Sequence, residues 1–303
     1  MYQWLGILFA PVDCTDDNLV WMAVPSAEAN SWWTVTHGDS GFVALAIAGT
    51  NYTMHSADGL SWSAYPAAEN NLWRGVTFGE GKYVAVSNSG TNRIMVSSDG
   101  QNWSPVAAPE ANPWQAVAYG NGRFVAVADS GTNQSMWSED GLSWNPVATP
   151  EANIWRSITF GSGKFVAVST NGTNQVIVST DGTSWTPVMP AAGNQWLAVG
   201  HDSNRFVALA NNGVDRVMRS ADTSSWTSHT STVQETWSSV SGGGGIFVGV
   251  SDQGSAMTSI DGSNWTDLPP PAANAWRSVT FGDSKFLAVS SNGTNQVMYA
   301  SCD

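Results

Sequence analysis

Five copies of one set of polar and aromatic residues recur along the chain, and these residue types are suited to binding sugars. In each copy an asparagine stands two residues before a tryptophan, and a Gly-Thr-Asn tripeptide follows later. An indole ring can stack on the C–H face of a sugar while amides and hydroxyls hydrogen-bond its hydroxyl groups. We therefore predict ligand-binding residues at Asn30, Trp32, Thr50 and Asn51; at Asn71, Trp73, Thr91 and Asn92; at Asn112, Trp114, Thr132 and Asn133; at Asn153, Trp155, Thr173 and Asn174; and at Asn274, Trp276, Thr294 and Asn295.

The same residues also have a purely structural interpretation, which the sequence leaves open. An asparagine before a strand often closes an Asx turn, and Gly-Thr-Asn is common in hairpins. A tryptophan at the start of an inner strand can equally be packed between sheets. Taken as a set, however, the repeated Asn and Thr favour binding, because core packing alone does not require them.

The residue directly after each repeated tryptophan varies, in contrast to the set around it. If the repeats form a ring, this variation predicts one asymmetric site at its centre. The seven residues are Trp33, Arg74, Gln115, Arg156, Leu197, Ser238 and Arg277.

The spacing of the tryptophans indicates how these residues are positioned. Seven of them stand 41 residues apart five times and then 39 apart, and a second series falls 11 residues before each. Each repeat contains four short runs rich in Val, Phe, Tyr, Trp and Thr, separated by Gly, Asn and Asp. This pattern predicts four-stranded antiparallel units of the length of a propeller blade. We therefore predict an all-β, seven-bladed β-propeller whose blades start near residues 32, 73, 114, 155, 196, 237 and 276.

The two ends of the chain complement each other. The last repeat stops at Asp303 without its fourth strand, and the segment Asp17 to Trp21 aligns with Asp58 to Trp62. We predict that residues 14–31 supply the outer strand of blade seven and close the ring, since an unpaired sheet edge would otherwise remain. The whole chain, 1–303, is then one domain with an N-terminal extension at residues 1–13.

The only two cysteines, Cys14 and Cys302, fall on this predicted seam. We predict that they form a disulfide; two buried free thiols are the alternative. A disulfide indicates an oxidising location, such as the extracellular space, a cell surface or a virion exterior. The apolar run at residues 4–10 lacks a basic leader, so the sequence does not predict a signal peptide there.

Composition argues against several classes of function. The net charge of −13 disfavours nucleic acid as a partner, and no stretch approaches the roughly 20 apolar residues of a membrane span. The four histidines are scattered without the spacing of metal ligands, and no glycine-rich phosphate loop links a strand to a helix. We predict no metal and no cofactor.

Five turns resemble the Asp-box of sialidases and other BNR-type propellers, whose pattern is Ser/Thr-x-Asp-(x)-Gly-x-Thr-Trp. They run from Ser56 to Trp62, Ser97 to Trp103, Ser138 to Trp144, Ser179 to Trp185 and Ser259 to Trp265. Blade five departs from the pattern with Thr223 in place of the turn glycine. The resemblance implies a propeller fold and a structural role for the box, on the face opposite the ligand site.

A sialidase-like activity would imply three arginines around a carboxylate, a tyrosine nucleophile with a glutamate partner, and an aspartate acid/base. Arg74, Arg156 and Arg277 each follow a repeated tryptophan, but no repeat offers a distinctive Tyr with a Glu beside it. We therefore predict a non-catalytic member of this superfamily.

The leading hypothesis is a multivalent, lectin-like recognition module that binds glycans or a glycosylated receptor, as on cell surfaces or phage and viral attachment structures. The alternative is a scaffold propeller that docks a protein partner, and a glycosidase is the third hypothesis. A lectin should have near-equivalent small pockets in blades one to four and seven, and a protein-docking scaffold should have one asymmetric apolar patch. A glycosidase should have one central acidic cleft with clustered arginines.

Overall fold

The computed structural model of the protein describes Cys14 and residues 19–302. These residues form seven four-stranded antiparallel sheets and no helix. Consecutive sheets pack side by side through their innermost strands, and the last sheet packs against the first. The predicted all-β, seven-bladed propeller is therefore confirmed.

The strands follow chain order from the inside of each blade to its outside. Blade one contains β2 (Trp32–Gly38), β3 (Gly41–Ala46), β4 (Thr53–Ser56) and β5 (Ser63–Tyr65). Blade two contains β6 (Trp73–Gly79), β7 (Lys82–Ser87), β8 (Ile94–Ser97) and β9 (Ser104–Val106). Blade three contains β10 (Trp114–Gly120), β11 (Arg123–Ala128), β12 (Ser135–Ser138) and β13 (Asn145–Val147). Blade four contains β14 (Trp155–Gly161), β15 (Lys164–Ser169), β16 (Val176–Ser179) and β17 (Thr186–Val188).

The remaining blades repeat this order until the ring closes. Blade five contains β18 (Trp196–Asp202), β19 (Arg205–Ala210), β20 (Val217–Ser220) and β21 (Thr227–His229). Blade six contains β22 (Trp237–Gly243), β23 (Ile246–Ser251), β24 (Ala256–Ser259) and β25 (Thr266–Asp267). Blade seven contains β26 (Trp276–Gly282), β27 (Lys285–Ser290) and β28 (Val297–Ser301), and β1 (Met22–Val24) is its outer strand.

The second strand of each blade forms the centre of the core. In β3 and β23 all six residues are buried, and the other second strands are buried from their second residue onward. A strand that is covered by a neighbouring blade on both faces has no solvent side, so it consists of a continuous apolar run. This arrangement explains why these strands read as Phe-Val-Ala-Val and its variants rather than as alternating polar and apolar residues.

The N-terminal segment completes blade seven, as the sequence predicted. Met22, Ala23 and Val24 pair with the last strand of the chain, with Met22 opposite Tyr299. Trp21 is buried beside this strand. The predicted extension at residues 1–13 and the alignment of Asp17 lie outside the described residues.

A disulfide joins the two ends of the ring. Cys14 is bonded to Cys302 across a sequence separation of 288 residues. The amide of Cys14 also donates to the carbonyl of Gly244 at 3.0 Å, so the N-terminal segment contacts blade six as well as blade seven. The bridge therefore adds a covalent link to a ring closed by hydrogen bonds.

Candidate functional site

The turns between the third and fourth strands are built by one serine and one aspartate each. In blade three Ser138 Oγ accepts a bond from the amide of Gly141 at 2.8 Å, and Asp140 Oδ1 accepts from the amides of Leu142 and Ser143, both at 2.8 Å. The amides of Ser143 and Leu142 hold the pKa of Asp140 down at about 2. These side chains shape the turn, at the end of the blade away from the predicted ligand residues.

The first predicted asparagine of each set connects the two loops of its blade. The side chain of Asn71 is buried, and its Nδ2 donates to the carbonyl of Asn92 at 2.8 Å. The same bond runs from Asn112 to the carbonyl of Asn133 at 2.7 Å. Equivalent bonds occur from Asn30 to Asn51, Asn153 to Asn174 and Asn274 to Asn295. These asparagines stabilise the loops from inside rather than facing solvent.

The second predicted asparagine is held by a glutamate in blades one to four. In blade three Glu110 accepts from the backbone amide of Asn133 at 3.1 Å and from its Nδ2 at 2.5 Å. The side-chain bond from Asn133 is the main reason that the pKa of Glu110 lies below its usual value. The equivalent pairs are Glu28 with Asn51, Glu69 with Asn92 and Glu151 with Asn174. Blade seven has Ala272 at this position, and Asn295 is exposed there.

The predicted tryptophans do not provide a surface for a sugar. All seven anchor tryptophans, Trp32, Trp73, Trp114, Trp155, Trp196, Trp237 and Trp276, are 0% exposed and packed between blades. An indole with no exposed face cannot stack on a ligand. The predicted stacking role of Trp32, Trp73, Trp114, Trp155 and Trp276 is therefore wrong. These tryptophans are packed between sheets, as the alternative, purely structural interpretation of the sequence stated.

The predicted threonines remain at the surface. Thr50, Thr91, Thr132, Thr173 and Thr294 are all exposed at the tips of the loops between the second and third strands. They are the part of each predicted set that can reach a ligand without rearrangement. A role for them in binding stays a prediction.

An irregularity in the first strand of every blade brings the variable residues together. In all seven blades the pairing register shifts between the anchor tryptophan and the second residue after it. Such a bulge redirects a side chain. The bulged residues all line one cavity of about 290 Å³ at the centre of the ring: Trp33, Arg74, Gln115, Arg156, Leu197, Ser238 and Arg277.

Two of the three arginines around this cavity are neutralised. Arg277 Nη1 lies 3.0 Å from Asp252 Oδ2, and Arg156 Nη1 lies 3.8 Å from Asp129 Oδ2. Gln115 Nε2 also donates to Asp129 at 2.9 Å. These side chains form a polar network across neighbouring blades.

Arg74 differs from the other two arginines. Its guanidinium carbon lies 4.2 Å from the ring centroid of Trp33, and that of Arg277 lies 4.7 Å from the same centroid. Within residues 19–302, Arg74 has no ion-pair partner, and its Nε, like that of Arg156, has no hydrogen bond. Burial, followed by repulsion from Arg156 and Arg277, lowers the pKa of Arg74. The cavity therefore contains a cation that has no ion-pair partner within residues 19–302.

Sequence reasoning missed the two aspartates, although a signal for them exists. Asp129 and Asp252 occupy the same repeat position, directly after the second strand. That position varies among the blades as strongly as the position after the anchor tryptophan does: Ile47, Asn88, Asp129, Thr170, Asn211, Asp252 and Ser291. Two variable positions per repeat would have indicated a pair of residues that meet at one site.

A tyrosine–glutamate pair also escaped the sequence analysis. Tyr119 Oη lies 2.5 Å from Glu80 Oε1, but this pair sits at the opposite end of β10 from Gln115 and the cavity. Burial and the bond to Glu80 raise the pKa of Tyr119 to about 12, which keeps the phenol protonated. A raised pKa is the reverse of what activates a tyrosine nucleophile.

The remaining predictions concern metals and membranes. Among the described residues no three His, Cys, Asp or Glu side chains are grouped so that they could hold a metal ion. No helix in the described part of the chain is long and apolar enough to cross a bilayer.

Solved structures are similar to this chain over nearly its whole length, whereas no curated protein sequence matches it. A catalytically inactive virginiamycin B lyase from Staphylococcus aureus with quinupristin has a TM-score of 0.83 at 11% identity, covering 94% of this chain and 99% of that chain. YCF48 bound to D1 peptide has a TM-score of 0.71 at 15% identity, covering 97% and 99%. The extracellular domain of a one-component system from B. thetaiotaomicron has a TM-score of 0.69 at 10% identity, covering 93% and 40%. These similarities show a shared fold among proteins of different function.

A family model matches the chain in two overlapping stretches, residues 56–191 and 115–237. Together they extend from the end of β4 to the start of β22 and include more than half of the chain. The match agrees with the seven sheets described above, and the chain belongs to the DUF6242 beta propeller domain family.

Proposed function

We propose that this protein is a non-enzymatic recognition module that docks one protein partner on the face carrying the central cavity. The observation that carries the proposal is the cluster of Trp33, Arg74 and Arg277 at that cavity. Tryptophan and arginine are the residue types that most often dominate binding energy at protein interfaces. Because the cluster occurs once in the ring, it favours a single asymmetric docking site.

The size of the cavity fits a docking role. A volume of about 290 Å³ is just below the range of small-molecule pockets, which starts at about 300 Å³. It can accept one side chain or one chain terminus, while the surrounding loops contact the rest of a partner. The propeller thereby combines a small specific pocket with a broad rigid face.

A glycan-binding function is the second candidate, and the exposed threonines support it. Their hydroxyls are repeated on one face in five blades, which suits several weak and equivalent contacts. The buried anchor tryptophans count against it, since they leave these sites without an aromatic surface. We therefore place protein docking ahead of the multivalent lectin that the sequence favoured.

The other parts of the proposal concern location and catalysis. The Cys14–Cys302 disulfide supports an extracellular, cell-surface or virion location. The raised pKa of Tyr119 and its distance along β10 from the cavity support a non-catalytic role. The serine and aspartate bonds in the outer turns support the resemblance to Asp-box repeats, in which the box is structural.

A peptide-display selection against the immobilised full chain would test the docking function. Selected peptides would be measured by calorimetry against the unmodified protein, Trp33→Ala and Leu142→Ala. Leu142 is 54% exposed in a turn at the opposite end of its blade, so Leu142→Ala is the matched control. We expect Trp33→Ala to weaken binding at least about tenfold, as for a hot-spot residue, and Leu142→Ala to leave it unchanged.

Two results would contradict protein docking at the cavity. One is a selection that yields no binder, or only binders indifferent to Trp33→Ala. The other is selective binding on a glycan array that weakens in Thr132→Ala and survives Trp33→Ala, which would establish the lectin function instead.

A further inference from the structure

The two paired arginines of the cavity follow one positional rule. Arg277 of blade seven reaches Asp252 of blade six, and Arg156 of blade four reaches Asp129 of blade three. In both cases the residue after an anchor tryptophan contacts the residue after the second strand of the preceding blade. The structure thus provides a counter-ion position for each of the three arginines around the cavity.

Arg74 occupies the same repeat position as Arg156 and Arg277, but the residue at its counter-ion position is not an aspartate. The preceding blade is blade one, and the residue after its second strand is Ile47. An isoleucine offers no charge and no hydrogen-bond acceptor in its side chain. The missing carboxylate explains why Arg74 forms no ion pair within residues 19–302.

The charges around the cavity leave one positive charge in excess. Arg74, Arg156 and Arg277 contribute three cations, and Asp129 and Asp252 contribute two anions. This excess occurs in a chain whose net charge is −13. A partly buried cation without a partner is unfavourable, and a bound anion would remove that cost.

We propose that Arg74 binds a carboxylate of the docked partner, at the position that Asp129 and Asp252 occupy beside the other two arginines. That the carboxylate belongs to a protein partner rests on the proposed function. The guanidinium fork of an arginine matches a carboxylate in two parallel hydrogen bonds, and that of Arg74 lies over the Trp33 ring. A single negative charge balances the cavity, whereas a dianion would leave a negative excess beside Asp129 and Asp252.

Substitutions at Ile47 test the inference without changing Arg74. Ile47→Asp restores the residue type found in blades three and six, so it should pair with Arg74 and compete with any bound carboxylate. Ile47→Asn is the matched neutral control, because blades two and five carry Asn88 and Asn211 at this position. A third variant, Arg74→Lys, keeps the charge and removes the bidentate fork.

The measurement is a titration followed by NMR of the arginine Nε–H groups in the full chain. The probes are N-acetylglycine, which represents a peptide carboxyl terminus, D-glucuronate, which represents an acidic sugar, and inorganic sulfate. The Arg74 resonance is assigned by its absence in Arg74→Lys. We expect N-acetylglycine to shift this resonance in the unmodified protein and in Ile47→Asn, and to bind at least about tenfold more weakly to Ile47→Asp, as expected for loss of one charge-assisted contact.

The outcomes separate this inference from the proposed function. Equal binding to Ile47→Asp and the unmodified protein, or sulfate binding as strong as carboxylate binding, would overturn the carboxylate site. A preference for D-glucuronate would retain the carboxylate site and contradict protein docking. Displayed peptides that depend on Trp33 but not on Arg74 would retain protein docking and contradict the carboxylate site.

Discussion

Asp202 of blade five faces Gly242 of blade six so closely that a Cβ added to Gly242 would lie 2.5 Å from the Cβ of Asp202. At the other six junctions the roles are exchanged, with a glycine in the earlier blade and an aromatic ring in the later one. These pairs are Gly38 with Phe78, Gly79 with Tyr119, Gly120 with Phe160, Gly161 with His201, Gly243 with Phe281 and Gly282 with His37. Each junction has room for one side chain. At six junctions the later blade supplies this side chain, whereas between blades five and six the earlier blade supplies it through Asp202.

We predict that Gly242→Ala destabilises the fold by about 1–3 kcal/mol, as overpacking does. The added Cβ would also lie 2.5 Å from the carbonyl oxygen of His201, so the backbone of two blades must separate. Gly193→Ala is the control, since nothing lies within 4 Å of a Cβ there. Urea unfolding would compare the two variants, and equal midpoints would refute the close packing of this junction.

We predict that opening the Cys14–Cys302 bridge lowers stability, while the ring still closes through the pairing of β1 with β28. The entropy of a loop this long gives roughly 5 kcal/mol in the chain-entropy model, less any strain. Thermal unfolding with and without reductant would measure the loss. The Cys14→Ser/Cys302→Ser double variant should already be destabilised and should not respond to reductant; a response would assign the effect to something other than the bridge.

We predict that stability declines as the pH falls from about 4 to about 2. The pKa values of Asp140 and Asp181 are about 2 in the folded chain, against an ordinary value of 3.8. A carboxyl whose pKa is lowered by folding contributes stability above its unfolded pKa and loses it as the pH falls through the folded value. Urea midpoints measured between pH 7 and pH 2 should therefore fall most steeply between about pH 4 and pH 2.

A substitution in one turn would assign part of that decline. In Asp140→Asn the stability at pH 7 should be lower, because the amide oxygen is a weaker acceptor for Leu142 and Ser143. Its fall between pH 4 and pH 2 should be smaller than in the unmodified protein. An unchanged acid profile would show that the turn carboxylates do not cause the decline.

We predict different costs for the same change at two anchor tryptophans. Trp73 Nε1 donates to the carbonyl of Glu69 at 3.0 Å, whereas Trp155 Nε1 is buried without a hydrogen bond in the described structure. Both indoles are fully buried, so Trp→Phe removes similar apolar contact at each position. Trp73→Phe should cost about 1 kcal/mol more than Trp155→Phe, which is the net value of the lost bond. Chemical unfolding of the two variants would measure this difference, and equal costs would contradict it.

The sequence alone determined the architecture, because every element of a blade is local in the chain. The 41-residue spacing of the tryptophans, the apolar runs and the turn residues recur in each unit, so the number of blades could be counted. The missing fourth strand of the last repeat also predicted how the ring closes. Cys14 and Cys302 could be paired for the same reason, since both fall on that seam.

Only the tertiary structure decided which of the candidate residues are buried and which line the cavity. Trp32 and Trp33 are neighbours in the chain, yet the bulge in β2 buries the first between blades and directs the second into the cavity. The sequence-based assignment of the anchor tryptophans to sugar stacking could not anticipate this, because burial depends on the adjacent blade. The contact between Arg277 and Asp252, and its absence at Arg74, likewise depend on packing between blades, which brings together residues from different repeats.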